Sequence, residues 1–195
     1  MVFKSLSSVK PRFFVKTGLL AVSLVAAATL SQASQAETLP MFGVRLALAE
    51  AKFSGFQPAS LNSASTTGYG FMLGVTSGAH RVYADLNFYS WDTADTRTIH
   101  ANYDYIWRSG KAWQVFTGVY GGLVDLETAA VNKYQSGPSA GVQAGVLLPL
   151  GTSGWNLETG LRYGGFSAKL LNPDTNQEVK IKTQAEGFIS LNFSS

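Results

Sequence analysis

Gln184-Ala-Glu-Gly-Phe-Ile-Ser-Leu-Asn-Phe193 reads with a period of two. Ala185, Gly187, Ile189, Leu191 and Phe193 make one face, apolar apart from a glycine. Gln184, Glu186, Phe188, Ser190 and Asn192 make the other, mostly polar with a charge near its middle. Side chains of a β-strand alternate between faces, so the stretch is an amphipathic strand. Its length, about ten residues, is also what a tilted strand needs to cross a bilayer.

Seven segments upstream share the pattern. Apolar positions alternate with small or polar ones over 41–50 (Phe42, Val44, Leu46, Leu48), 68–76 (Tyr69, Phe71, Leu73, Val75) and 81–89 (Val82, Ala84, Leu86, Phe88). The same holds over 98–107, 112–123, 140–150 and 155–163. Connections alternate in length. After strands two, four and six they are tight and glycine-bearing: Ser77-Gly-Ala79, Arg108-Ser-Gly-Lys111 and Gly151-Thr-Ser-Gly154. Glycine supplies the positive φ such turns use. After the other strands they run longer, over about 51–67, 90–97, 124–139 and 164–182. An even number of antiparallel strands, with short turns at one end and long loops at the other, predicts an all-β, eight-stranded antiparallel up-and-down transmembrane barrel. Both termini fall on the short-turn, periplasmic side. Val179 and Ile181 keep the parity of Ala185, which predicts a strand that begins near Glu178 and stands above the bilayer. Asn172-Pro-Asp-Thr-Asn-Gln177 would be its tip, and Gly164-Gly165 is the expected site of a bulge.

The 195 residues suit one domain. Lys4, Lys10, Arg12 and Lys16 precede an apolar run, Gly18 to Leu30, that ends in Ser34-Gln-Ala36. A basic region, a short apolar region and a small-x-small site predict a secretory signal peptide over 1–36, cleaved after Ala36 or Ala33, with the barrel over 37–195. Cleavage removes four of the fifteen basic residues and none of the twelve acidic ones, leaving a net charge of −1. The basic balance therefore belongs to the targeting segment, and no nucleic-acid partner is expected. With no cysteine, thiolate metal sites and disulfides are excluded.

Alternation alone does not tell a membrane barrel from a soluble one, which would turn the same apolar face inward. Three features choose the membrane. First, the aromatics of the apolar face cluster by height: Phe42, Trp107, Trp113, Trp155 and Phe193 at the short-turn end, Tyr69, Phe88 and Tyr163 at the long-loop end. Amphipathic rings favour the two membrane–water interfaces, so these sets predict a girdle at each boundary. Second, the polar face carries Arg45, Asp85, His100, Asp104, Glu158, Arg162 and Glu186 among many glycines. Small residues make room for large ones in the narrow lumen of eight strands. Third, strands one and eight must pair to close the barrel. Arg45, Glu186 and Arg162 should then meet in one buried network completed by Asp85, Asp104 or Glu158, because charges shielded from water need partners.

These features resemble the small outer-membrane barrels of the OmpA transmembrane-domain, OmpX and opacity-protein type, over about Leu39 to Phe193. The resemblance implies outer-membrane lipids and the barrel-assembly machinery as partners, a monomeric state, and loops that bind host or surface ligands. The closing strand resembles the signal that machinery reads, at Gly187, Ile189, Leu191 and Phe193. It departs from the pattern at Gly187, where a larger apolar residue is usual, and in the Ser194-Ser195 that follows the aromatic.

Chemistry beyond this is sparse. His80 falls at a periplasmic turn and His100 in the lumen. His100 and Asp104 are about 13 Å apart along their strand at ~3.3 Å per residue, and no serine is assigned beside either histidine. No catalytic residue, cofactor or metal is therefore expected. Loop residues Lys52-Phe-Ser-Gly-Phe-Gln-Pro58, Lys133 and Tyr134 are the candidates for surface binding. An envelope-structural or adhesive barrel is the leading reading. A narrow channel or ligand-binding barrel (lipocalin-like if soluble) and a lipid-modifying enzyme are the alternatives.

Overall fold

The computed structural model describes residues 37–55, 63–92, 94–107, 112–128, 131–171 and 178–194. Residues 1–36, where a signal peptide is expected, the expected turn at 108–111, residues 56–62, the expected tip at 172–177, and the side chains of Lys133 and Tyr134 lie outside them. Eight long strands, β1 (Thr38–Ser54), β2 (Ser63–Ser77), β3 (His80–Ser90), β4 (Ala94–Trp107), β5 (Gln114–Thr128), β6 (Val131–Pro149), β7 (Trp155–Phe166) and β9 (Glu178–Ser194), pair antiparallel in chain order. β1 pairs with β9, so the sheet closes on itself. A short strand, β8 (Lys169–Leu171), pairs with the start of β9 as an external hairpin.

The faces fall as period two dictates. On β1, Val44, Leu46 and Leu48 point outward at 51–69% exposure, whereas Arg45, Ala47, Ala49 and Ala51 are buried. Leu73 and Leu161 are 70% and 72% exposed. An apolar belt this wide and continuous suits hydrocarbon and not water. Closure also removes every free edge of the main sheet, which a lipid-immersed strand requires. At the periplasmic end, Gly78 takes φ 58° in the two-residue turn that joins paired Ser77 and His80.

The strands run farther than the alternation alone marks, most of all on the long-loop side. The expected 124–139 loop is a hairpin whose strands β5 and β6 end only two residues apart. The expected 51–67 and 90–97 loops shrink likewise to 55–62 and 91–93. Polar outward residues read as loop by alternation, but outside the bilayer a strand is free to be polar on its outer face.

Two expectations about the closing strands are corrected. Register runs without a break through Gly164↔Gln184 and Gly165↔Thr183, so no bulge sits there. The irregularity lies instead between β1 and β9, where Lys52 pairs with Thr183 but Phe53 with Ile181. The extra residue, Lys182, inverts the parity of what precedes it. Val179 and Ile181 therefore point into the barrel, buried, and do not share the outward face of Ala185.

This inversion completes an apolar tier at the external end of the lumen. Phe53, Trp91, Leu126, Phe166, Val179 and Ile181 are all buried there, with Phe53 edge-on to Trp91 at 5.6 Å. At the periplasmic end Met41, Met72 and Tyr83 form a second buried cluster. The polar residues occupy the space between.

Candidate functional site

Inward positions of all eight long strands converge in the middle of the lumen. Arg81 and Asp104 face each other on paired β3 and β4. Arg81 donates to Asp104 Oδ2 from Nε (2.9 Å) and Nη2 (2.6 Å), and to Glu158 across the lumen from Nη1 (2.6 Å). Asn192 donates to the same Glu158 oxygen at 3.0 Å. One level higher, Asp85 Oδ2 accepts from Arg45 Nη1 at 3.2 Å and from Arg162 Nη2 at 2.8 Å. Arg45 Nη2 also lies 3.8 Å from Glu158, which joins the two levels. Gln143 bridges them again, accepting from Arg162 (2.7 Å) and donating to Asp104 (2.5 Å).

Three arginines thus face three carboxylates, and all six side chains are at most 3% exposed. Aromatic rings line the guanidinium faces: Phe188 lies 4.2 Å from Arg45, Tyr120 4.6 Å from Arg162, and Phe116 4.9 Å from Arg81. Cation–π attraction strengthens where water is excluded. The glycines admit these bulky groups. A Cβ on Gly118 would strike the Asp104 carboxylate and the Tyr103 carbonyl, so only glycine lets Asp104 lie flat against β5.

The structure places the sequence-nominated charges unevenly. Arg45, Arg162, Asp85, Asp104 and Glu158 are in the network. Glu186 is on the lumen wall but makes no ion pair among the described residues. Its Oε2 accepts the Tyr89 hydroxyl at 2.6 Å and the Gln184 amide at 3.4 Å, while Oε1 has no hydrogen-bond partner among the described residues. Arg81, absent from the nominated set, holds two of the three carboxylates. Its parity with Tyr83 and Asp85 was the available signal; its place beside a turn hid it.

His100 is the second surprise. Its Nδ1 lies 3.1 Å from Asp85 Oδ1 and its Nε2 2.9 Å from Ser139 Oγ. A serine therefore does stand beside it. Register shows how: His100 pairs with Gly122, and Gly122 with Ser139, so the side chain reaches across a glycine to the strand beyond. The sequence pattern puts Ser139 at the edge of the 124–139 loop. The order Ser–His–Asp matches the arrangement of nucleophilic hydrolases. Its surroundings do not. Ser139 is 5% exposed, beside its register partner Phe166, and Asp85 is already paired with two arginines. Backbone N–H groups nearby are engaged in the sheet ladders, which leaves no evident oxyanion hole. Among the described residues no cluster of His, Asp or Glu is set to hold a metal ion.

On the outer surface, Phe42, Trp155 and Phe193 pack at 5.2–6.1 Å between centroids at the periplasmic rim. Trp107 and Trp113 are outward and exposed at the same end. Tyr69 stacks on Phe88 at 5.2 Å at the other end, at a similar height to outward Tyr163. Trp155 to Tyr163 is eight residues, about 26 Å along the strand at ~3.3 Å each, which a tilt of about 40° reduces to roughly 20 Å of height, within a membrane band of ~25 Å. Gly187, Ile189, Leu191 and Phe193 all lie on this outward face.

No protein-family model and no curated protein sequence matches the chain. Solved structures do. The chain superposes on Neisserial surface protein A at 21% identity and TM-score 0.60, over 78% of this chain and 96% of that one. Outer membrane protein AlkL aligns at 15% identity and TM-score 0.48, over 83% and 90%. Ail, the attachment invasion locus protein of Yersinia pestis, aligns at 9% and 0.42, over 78% and 99%. Neisserial surface protein A carries the comparison, and it bears on fold alone. That likeness and the closed antiparallel sheet place this chain: it has the fold of the small eight-stranded barrels of the bacterial outer membrane.

Proposed function

We propose that the protein is a monomeric envelope-structural barrel whose external strand extensions and loops form a surface-binding face. One observation carries this reading. The lumen is filled in three tiers, apolar, ionic and apolar, by buried side chains. Function is then left to the outside, where β1, β5, β6, β8 and β9 project past the upper aromatics. Loops on a rigid scaffold are where binding residues concentrate. In this reading Phe42, Trp107, Trp113, Trp155 and Phe193 form the periplasmic girdle, and Tyr69, Phe88 and Tyr163 the external one. Gly187, Ile189, Leu191 and Phe193 serve as the assembly signal, read after residues 1–36 are removed. The test is cell or matrix binding by bacteria that express the chain with segments 52–65 and 167–178 trimmed. Binding should disappear while the folded barrel persists; binding that survives both deletions contradicts the reading. Planar bilayers should show no single-channel steps.

The Ser139–His100–Asp85 arrangement favours a second reading, a hydrolase. A fluorophosphonate probe that labels the folded barrel at Ser139, and not Ser139→Ala, would establish it. Burial predicts no labelling.

A further inference from the structure

Gly187 leaves a depression in the otherwise bulky outer face. It is an outward position on β9 whose added Cβ would find only Leu161 Cδ2, at 3.8 Å. Around it runs a groove of about 820 Å³, walled by Leu48, Val142, Leu161, Tyr163 and Ala185. A second depression of about 540 Å³ shares Leu48, Leu161 and Gly187 and continues it downward to Ile189. The upper end reaches Glu50, Ser65 and Tyr163, the level of the external aromatics. The groove therefore spans the external half of the membrane band, where an acyl chain is the available occupant.

Charge marks what kind of lipid. Directly above the groove, on paired β1 and β9, stand Lys52 and the bulged Lys182, both exposed. Neither has an ion pair among the described residues. Farther out, Glu178 already binds Lys169 (3.5 Å) and Lys180 (3.0 Å). Two ammonium groups without ion pairs, against the single exposed carboxylate of Glu50 at the groove's upper end, leave a net positive site in the external leaflet that complements a phosphorylated glycolipid. Lysines near a membrane surface attract anionic headgroups additively.

We propose that the β1–β9 seam seats one lipid A molecule, with an acyl chain across Gly187 and a phosphate on Lys52 and Lys182. Lys52 also belongs to the 52–65 segment of the proposed binding face, whereas Gly187 and Lys182 lie outside both trimmed segments, so the Gly187→Leu arm tests the lipid site apart from that face. The experiment is native mass spectrometry of the full barrel, released from detergent after incubation with hexa-acylated lipid A, and in a parallel arm with phosphatidylglycerol. Wild type should retain one lipid A, and retain it in preference to phosphatidylglycerol. Gly187→Leu fills the groove without a backbone clash, so its heat-modifiable gel shift should be intact while retention falls about tenfold. The double change Lys52→Ala, Lys182→Ala should weaken retention about thirtyfold, from two lysines acting additively. Unchanged retention in Gly187→Leu, equal retention of phosphatidylglycerol, or a barrel dimer that Gly187→Leu abolishes would each overturn the proposal.

Discussion

Arg81 decides how the lumen charges balance. Without it, Asp104 and Glu158 would be buried with little cationic compensation, since Arg45 approaches Glu158 only at 3.8 Å. Removing one partner of a buried pair costs about 3–5 kcal/mol. Arg81→Ala should therefore lower the urea unfolding free energy of the vesicle-inserted barrel by that order. Glu186→Gln should cost only about 1 kcal/mol, because a glutamine oxygen can still accept the Tyr89 hydroxyl. The reverse ranking would mean that Glu186, and not Arg81, anchors the network. The inward set was legible from parity, which assigned Arg45, Asp85, Asp104, Glu158 and Arg162 to the lumen. Which acid meets which arginine was not, because partners such as Arg81 and Glu158 are 77 residues apart and joined only through the closed cross-section.

At the scale of the element, β9 carries two patterns separated by one residue. From Gln184 to Phe193 it is a regular membrane strand; from Glu178 to Ile181 it is an external strand of opposite parity. Lys182 makes the difference. Deleting Lys182 should close the bulge and leave Thr183 and Ile181 consecutive opposite Lys52 and Phe53, so Val179 and Ile181 keep their places in the upper apolar tier. Hydrogen exchange at 178–181 and 52–54 should then stay at least as slow as in the wild type, while 185–193 stays protected. Quickened exchange at 178–181 would contradict this register. The sequence showed where each strand crosses, since the membrane forces strict alternation there. It did not show the bulge, because an extra residue is invisible until a partner strand fixes the register. Nor did it show how far strands continue outside lipid, where polar outward residues look like loop.

For the whole molecule, the apolar face, the aromatic levels and the filled lumen all follow from one arrangement, in which lipid replaces water outside and paired charge replaces water inside. A soluble barrel would assign the same strands the other way round. Spin labels placed singly at Val44, Leu46, Leu48 and Leu161 in the vesicle-reconstituted protein read this directly. The structure predicts that all four are accessible to dissolved oxygen and shielded from a water-soluble nickel chelate, most strongly near mid-strand. Labels open to the chelate and shielded from oxygen would contradict it.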